Sequence, residues 1–338
     1  MARGVAIVGM AMVHIGPQDI PGGGVLGAAY RSPHGRASIL FIVLAGIGVS
    51  LLTGGQSGGR LQGVTARLWW RALVLLPIGL TLQSLPVNVA VILQYYAVYY
   101  VIASGLMRLG DRTVLVVAAG SAMLGPVVLT WLHQVLPAWF QTGVPQWHDA
   151  ARIMRDILVT GYYPAIVWTA PLAIGIWIGR RDLREPRTAW VLLVGGALVA
   201  AIGFVLSDAL VAALGPASSE SDWRQLAAIE PHNEMPLWVL TSTGIAAAIV
   251  GCCLLLAQWL PRVVWPAVAF GQLAFSVYIL HVLVLAWQPE WLVREEIVPA
   301  WLSVARFAVV SIALATAYRA VASRGPFEQL LRAPWHRA

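Results

Sequence analysis

The sequence contains no lysine, two cysteines and few charged residues of any kind. Charged residues occupy 11% of the 338 positions, whereas a soluble domain typically carries about 25%. All 22 basic residues are therefore arginine. The composition is 59% hydrophobic with a mean hydropathy of +0.75, which is more apolar sequence than a soluble core can bury. The chain is predicted to be an integral membrane protein.

Several other absences exclude whole classes of function. Cys252 and Cys253 are adjacent in an apolar run, so they cannot easily form a disulfide and lack metal-ligand spacing; we interpret them as packing residues. No signal peptide is predicted, because the run after Met1 leads to His14 without a small-residue cleavage pattern. No basic stripe with interleaved aromatics exists, so the net charge of +7 does not indicate a nucleic-acid partner.

About ten helical spans are predicted from apolar runs near the roughly 20 residues that a bilayer requires. They predict an all-α, polytopic membrane helix bundle formed by one domain over residues 1–338. The first span is short, since the run from Met1 to Val13 rises only about 20 Å as a helix, so we expect the natural start to lie upstream. The predicted spans are 2–16, 38–55, 64–84, 89–108, 113–132, 159–179, 188–213, 236–259, 263–287 and 300–321.

The distribution of arginine predicts the orientation of these spans, because basic residues are enriched in cytoplasmic loops. With the spans above, fifteen arginines fall on one side of the membrane and the remaining seven on the other. Both termini are therefore predicted to be cytoplasmic, in a bacterial cytoplasmic membrane. The connections 17–37, 133–158, 214–235 and 288–299 are then external, together with most of the histidines.

Two histidines near the start of the chain are candidates for catalysis. His14 ends the first apolar run, and His34 lies in the following loop, just before Gly35 and Arg36. Imidazole has an unperturbed pKa near neutrality, which suits a general base. His14 could instead anchor a helix end at the interface, and His34 could be a loop imidazole in water. Arg36 could stabilise an oxyanion or bind a phosphate or carboxylate, or simply snorkel.

Further candidates are polar or aromatic residues in the outer parts of the spans. An aromatic belt is the simpler interpretation of Tyr95, and interhelical hydrogen bonding that of Gln272 and His281. His232 and Asn233 open a helix from outside, where Asn is a common N-cap. The alternative for all five is that they bind the substrate. Cytoplasmic arginines signal topology, but could also bind the phosphates of a nucleotide-bearing donor; these are Arg67, Arg71, Arg180 and Arg181.

The spacing from Arg3-Gly4 to His14 resembles the first helix of membrane acyltransferases that O-acylate surface sugars. Most of the chain is also similar to YeiB-like bacterial proteins and to the heparan-glucosaminide N-acetyltransferase group, which commonly carry Asn at the position of His14. An Asp that usually precedes Arg-Gly in the relatives would fall before Met1. The similar segments are HGRASILFIVLAGIGVSLL (34–52), ILQYYAVYYVIA (92–103), GYYPAIVWTAPLAIGIWIGRRDL (161–183), PHNEMPLWVLTSTGIA (231–246), AFGQLAFSVYILH (269–281) and GPFEQLLR (325–332).

This resemblance implies an acyltransferase that moves an acyl group, acetyl above all, from cytoplasmic acyl-CoA to a hydroxyl or amine of an extracytoplasmic sugar or envelope compound. His14, with His34, would be the base or acyl carrier. Lipid, acyl-CoA and a carbohydrate or other small acceptor are the expected partners, without a metal, and a homodimer is left open. A transporter and a non-catalytic membrane protein are the alternatives; against transport, the sequence shows neither an internal repeat nor a pair of broken helices.

Overall fold

The computed structural model describes residues 1–17, 24–55, 63–140 and 149–334, and within these ranges all regular structure is helical. Thirteen α-helices follow one another, with one π-helical turn, Asp156–Thr160, between the seventh and the eighth. In chain order the α-helices are α1 (Ala2–Ile15), α2 (Gly24–Arg31), α3 (Arg36–Leu52), α4 (Val64–Gln83), α5 (Leu93–Leu106), α6 (Asp111–Val135), α7 (Ala150–Arg155), α8 (Ala165–Gly179), α9 (Pro186–Leu214), α10 (Pro236–Trp259), α11 (Pro261–Gln272), α12 (Ala274–Trp287) and α13 (Ile297–Val321).

All ten predicted spans contain helix, but fewer helices qualify as complete membrane spans. In the described residues, five helices are long and apolar enough to cross a bilayer, or up to seven if each of two bent pairs forms one span. α9 and α13 are the most exposed of these, with 28% and 17% of their apolar windows buried. Their exposed apolar side chains are those expected of a membrane protein facing lipid.

Two helices are broken, which corrects the expectation that no broken pair exists. The helix that ends at Thr160 and α8 differ in direction by 58°, and α11 and α12 differ by 61°. Pro164 lies at the first break, where its ring cannot continue a helix. The second break falls at Leu273, between two apolar helices with no interrupting polar run, so hydropathy alone joins them into one span.

Close helix packing through glycine builds the centre of the bundle. A Cβ added to Gly46 of α3 would strike the backbone of α8, and one added to Gly175 of α8 would strike the backbone of α3. Small residues of this kind allow membrane helices to approach closely. α8 and α10 bring together Trp168 and Trp238, which are both fully buried and whose ring centroids lie 5.8 Å apart.

The helices place histidines at one end of the bundle and arginines at the other. α1 is antiparallel to α3, since Gly9 lies against Pro33 and Ala37 while Gly48 lies near the Arg3 guanidinium. We call the end at which α1 finishes the histidine end, because it holds His14, His34, His232 and His281. The opposite end, at which α1 begins, holds Arg3, Arg67 and Arg71 and is called the arginine end.

Candidate active site

Two histidines that are 267 positions apart meet inside the bundle. His14 Nδ1 lies 2.9 Å from His281 Nε2, within hydrogen-bond distance. The two rings are stacked, with centroids 5.2 Å apart and planes inclined by 18°. α1 contributes His14 from its last turn, and α12 contributes His281 from its middle. His281 is buried and packs edge-on against Tyr278 one turn earlier, at 5.1 Å, so it faces the protein interior and not lipid.

The end of α1 is covered by aromatic side chains and a neighbouring loop. Tyr30 of α2 is fully buried and lies so close to Gly16 that a Cβ there would strike its phenol ring. Trp301 of α13 packs edge-on against Tyr30, with centroids 5.3 Å apart. The backbone N–H of Arg294 donates to the Ile15 carbonyl at 2.8 Å. These contacts fix the position of His14 relative to the rest of the bundle.

His34 lies in the turn between α2 and α3 and is only 7% exposed, so the interpretation of a loop imidazole in water is wrong. The His34 imidazole lies beside the backbone of Tyr30 and Arg31, and its ring centroid is 6.4 Å from that of Tyr30. His14 is within electrostatic range of His281, His34 and His232. The packing of helices therefore gathers four imidazoles at the histidine end.

Arg36, the first residue of α3, is occupied by contacts within the protein. Its Nη1 donates to the Ser32 carbonyl at 3.0 Å, and its guanidinium lies 5.6 Å from the centre of the Phe204 ring. Its Nε is buried and has no hydrogen-bond partner. The Nε–H of Arg36 is thus a buried donor that a ligand could use, and the role in substrate binding predicted for Arg36 stays a prediction.

The loop that leads into α10 holds a second polar group, formed by His232, Asn233 and Glu234. Asn233 Oδ1 accepts from the backbone N–H of Met235 at 3.1 Å. The N-cap of α10 is Met235, so the interpretation of Asn233 as the N-cap is wrong. His232 and Glu234 have positive φ angles of 60° and 55°. A residue with a Cβ pays about 1–2 kcal/mol for this left-handed conformation, and such strain tends to occur at functional sites.

The same loop is packed into an aromatic pocket. His232 lies 5.8 Å from Tyr163 and 6.2 Å from Trp238, measured between ring centroids. A Cβ on Gly35 would touch both Trp238 and the His232 backbone, so this pocket adjoins the turn that carries His34. Tyr95 is buried and adjoins this pocket, since it packs edge-on against Tyr163 at 5.2 Å.

Burial perturbs both titratable groups of this loop. Burial, together with the neighbouring His34, lowers the pKa of His232 to about 4. Burial also raises the pKa of the Glu234 carboxyl well above its usual range, although the Trp168 indole acts in the opposite direction. Both shifts favour the uncharged form, as expected for groups removed from water without a charged partner. Perturbed pKa values of this kind are frequent at functional sites.

A cavity of about 540 Å³ opens at the arginine end. Arg67 and Arg71 of α4 line it, as does Arg3 of α1. Its inner part is apolar and includes Met10, one helical turn before His14, and Tyr278, which packs on His281. The cavity therefore leads from a basic mouth towards the histidine pair. Sequence reasoning missed two further arginines that line it from the C-terminal segment, Arg324 and Arg332.

Glu328, which also lines the cavity, connects the C-terminal segment to the start of α12. Its carboxyl oxygens accept from the backbone N–H groups of Phe275 and Ser276, at 3.0 and 2.9 Å, and from the Ser276 hydroxyl at 2.5 Å. A carboxylate at a helix N-terminus is stabilised by the helix dipole. Glu328 thereby fixes the helix that carries His281, and no sequence pattern predicts this contact.

Two arginines expected in the donor site lie elsewhere, and Gln272, expected in the acceptor site, lines the cavity of the arginine end. Arg180 donates to Asp111 at 2.7 Å, and Arg181 pairs with the same carboxylate. Neither lines the cavity that Arg67 and Arg71 share. Gln272 is exposed and lies at the arginine end, where its Oε1 accepts from Arg319 at 2.7 Å. The role of Gln272 in binding the acceptor stays a prediction.

Other predicted features have simpler outcomes. Cys252 is exposed and Cys253 is buried, and both are free thiols. His133 lies on α6, where its Nδ1 is 3.9 Å from Glu220. His148 and His336 fall outside the described residues. In the described part of the chain, no group of three or more His, Cys, Asp or Glu could hold a metal ion.

One protein family matches the sequence. A family model described as an acyltransferase domain matches residues 89–319, which is more than two thirds of the chain and runs from the connection before α5 almost to the end of α13. The matched range includes His232 and His281, and α1 to α4 lie before it. No curated protein matches the sequence.

Proposed function

Because the chain belongs to this acyltransferase family of membrane proteins, we propose that it transfers an acyl group, acetyl in the simplest case, from acyl-CoA to a hydroxyl or amine of a sugar or envelope compound across the bundle. The observation that carries this proposal is the cavity with an arginine-lined mouth, whose apolar inner end reaches the aromatic ring packed on the His14–His281 pair. Within the family, likeness to YeiB-like and heparan-glucosaminide N-acetyltransferase-like proteins is part of the proposal.

The arginine-end cavity has the chemistry that an acyl-CoA requires. Five arginines line it, and guanidinium groups bind phosphates through paired, charge-assisted hydrogen bonds. The inner lining from Met10, Phe41 and Tyr278 suits an uncharged thiol-linked chain. When bound, the donor supplies an activated acyl group. Arg67 and Arg71 would hold its phosphates, and we place this end in the cytoplasm, in keeping with the excess of arginine there.

We assign the role of general base to His14. If His281 carries its proton on Nδ1, which lies against the Val277 and Tyr278 carbonyls, then its Nε2 accepts the Nδ1–H of His14. That tautomer leaves a lone pair on His14 Nε2. This atom can take the proton of an acceptor hydroxyl or amine, or carry the acyl group transiently. His281 then acts as a positioning residue that sets the ring orientation and tautomer of His14.

A transporter is the second candidate, because the two bent helix pairs resemble the discontinuous helices that form solute sites in transporters. The two candidates predict different fates for a labelled donor. Purified protein incubated with radiolabelled acetyl-CoA and bacterial envelope material is expected to transfer label to that material. Protein reconstituted in vesicles is expected not to accumulate label inside. Uptake without covalent transfer would replace the proposed function with transport.

Arg67→Gln and Arg71→Gln test the donor site directly, with Arg180→Gln as a matched control at the same end of the bundle. Loss of one charge-assisted hydrogen bond costs roughly 1.5–3 kcal/mol, so each of the first two changes is expected to raise the KM for acetyl-CoA about tenfold or more. Arg180 pairs with Asp111 and its replacement is expected to leave that KM unchanged. Equal effects of all three changes would argue against the cavity as the donor site.

A further inference from the structure

The C-terminal segment, residues 324–333, follows α13 and forms part of the wall of the arginine-end cavity. It consists of turns and lies beyond residues 89–319, which the family model matches. The family match therefore assigns no role to this segment. The residues of the segment that line the cavity are Arg324, Glu328, Leu331, Arg332 and Ala333.

Contacts with two helices hold the segment against the cavity. On one side, the indole N–H of Trp70 in α4 donates to the Leu330 carbonyl at 2.9 Å. On the other side, Phe327 packs edge-on against Phe275 of α12 with ring centroids 6.3 Å apart, and its backbone N–H donates to the Ser276 hydroxyl at 3.2 Å. The segment thus joins α4, which carries the predicted phosphate ligands, to α12, which carries the positioning histidine.

Glu328 is the central anchor of the segment. Its carboxyl oxygens accept from the first backbone N–H groups of α12 and from the Ser276 hydroxyl. A Cβ added to Gly325 would strike this carboxyl, so the preceding turn leaves just enough room for the contact. Arg324 lies four positions before this anchor and Arg332 four positions after it, and both line the cavity. The anchor therefore determines where both guanidinium groups lie.

The charge of the cavity indicates a ligand with several negative charges. Among the described residues that line it, five are arginines and one, Glu328, is acidic. Positive charges gathered in one cleft repel one another and attract anions. An acyl-CoA carries a pyrophosphate and a further phosphate on its ribose, which together offer more oxygens than Arg67 and Arg71 can bind, since each guanidinium engages a phosphate through paired hydrogen bonds.

We propose that the C-terminal segment completes the donor site, in which Arg324 and Arg332 bind phosphate groups of the acyl-CoA and Glu328 is a positioning residue that holds them at the cavity. The inference rests on the proposed function and deepens it, since that function assigns the phosphates to Arg67 and Arg71 of α4. It adds a part of the chain that the matched domain does not contain.

The role of Glu328 has a direction that can be measured. A carboxylate that did nothing but line the cavity would repel the phosphates, so its removal would tighten the binding of the donor. A carboxylate that positions the segment has the opposite effect, because its removal frees the two arginines from the cavity wall and weakens binding. The sign of the change in affinity therefore distinguishes the two roles.

The test measures the Kd of CoA itself by calorimetry, with the full-length protein in detergent at low and at high salt. The variants are Arg324→Gln, Arg332→Gln, their double variant, Glu328→Ala, Glu328→Gln, and Glu328→Ala combined with both arginine changes. Arg262→Gln is the matched control, since Arg262 is an exposed arginine at the start of α11 and is not among the described residues that line the cavity. Thermal unfolding of each variant verifies folding.

Each arginine change is expected to raise the Kd of CoA about threefold to tenfold, because a charge-assisted hydrogen bond at an exposed rim is weaker than a buried one. The double variant should bind more weakly still, and its Kd should depend less on salt, since fewer charge pairs remain to be screened. Glu328→Ala should raise the Kd in the wild type but add nothing to the double variant. Glu328→Gln should keep most of the affinity, because its amide oxygen can still accept from α12, and Arg262→Gln should match the wild type.

Each contrary result has a distinct meaning. A double arginine variant that binds CoA as the wild type does would overturn the role of the segment while leaving the proposed function intact. An effect of the arginine changes that appears only in nanodiscs containing phosphatidylglycerol would do the same, and would assign the two arginines to lipid headgroups. Tighter binding by Glu328→Ala, or a further loss when it is added to the double variant, would overturn the positioning role of Glu328. A wild-type protein that binds no CoA would overturn the proposed function itself, and the inference with it.

Discussion

The hydrogen bond between His14 and His281 gives the sharpest test of the proposed chemistry, because the two residues should act as one unit. We consider four variants, of which the first three are His14→Ala, His281→Ala and the double variant. The first removes the base, and the second removes the group that orients it at 2.9 Å. A third single variant, His14→Asn, keeps a hydrogen-bonding side chain that cannot take up a proton.

The size of each effect can be estimated from the geometry. A positioned general base contributes about 10²–10⁴ to the rate, so His14→Ala is expected to lower kcat by that factor. His281 makes one hydrogen bond to a ring that becomes charged when it accepts a proton, and such bonds contribute about 1.5–3 kcal/mol. At about 1.4 kcal/mol per tenfold change in rate, His281→Ala should lower kcat roughly tenfold to 150-fold.

The double variant distinguishes a unit from two independent residues. Residues that act together give strongly non-additive effects, so the double variant is expected to be no slower than His14→Ala alone. Transfer from labelled acetyl-CoA measures kcat, and KM for acetyl-CoA reports whether the donor site is intact. His133→Ala is the matched control, since His133 lies on α6 beside Phe140 and Glu220, and its rate should equal that of the wild type.

Two results would refute this reasoning. If the effects of His14→Ala and His281→Ala multiply fully in the double variant, the hydrogen bond has no part in catalysis. If His14→Asn keeps near-wild-type activity, His14 only donates a hydrogen bond, and the base must be another group, with His34 the first to examine. A dead Asn variant with an intact KM for the donor supports proton or acyl chemistry at His14.

Three further outcomes are expected. Because Arg67 and Arg71 are the predicted phosphate ligands, the double change to Gln should raise the KM for acetyl-CoA by more than either single change, and an unaltered KM would exclude them. His232 stays neutral in the folded protein down to about pH 4, whereas the same residue in an unfolded chain binds a proton below about pH 6.5. The stability of the protein should therefore fall as the pH drops from about 6.5 to 4. Thermal unfolding of His232→Gln should show a smaller loss of stability over that range. A reporter fused after Ala338 should be active only in the cytoplasm, and activity outside the cell would reverse the predicted orientation.

The sequence by itself determined the class of protein and most of the helices. Scarce charge and long apolar runs predicted a membrane helix bundle. A helix pairs its own backbone N–H and C=O groups, and unpaired backbone groups are too costly in lipid. The helix starts at Pro186, Pro236 and Pro261 follow from the preference of proline for the first turn. The resemblance of the segment from Arg3 to His14 to membrane acyltransferases implied an acyltransferase, and the family match over 89–319 supports this without reaching those residues.

Hydropathy could not determine which of these segments cross the membrane completely. The hydropathy pattern predicted ten membrane spans, whereas the described helices include five that could cross the membrane alone, or up to seven if each bent pair forms one span. A break such as that at Leu273 leaves no mark on an apolar sequence, because both halves remain hydrophobic. Gln272, the last residue before this break, lies at the arginine end, where its Oε1 accepts from Arg319.

Only the tertiary structure decided which polar residues meet. His14 and His281 are 267 positions apart, and Arg180 and Asp111 are 69 apart; no local pattern specifies either pair, because such contacts arise from helix packing and not from helix periodicity. Glu234 is another example. In the sequence it is one glutamate of a polar loop, and only the left-handed backbone of the folded loop buries its carboxyl beside the Trp168 indole.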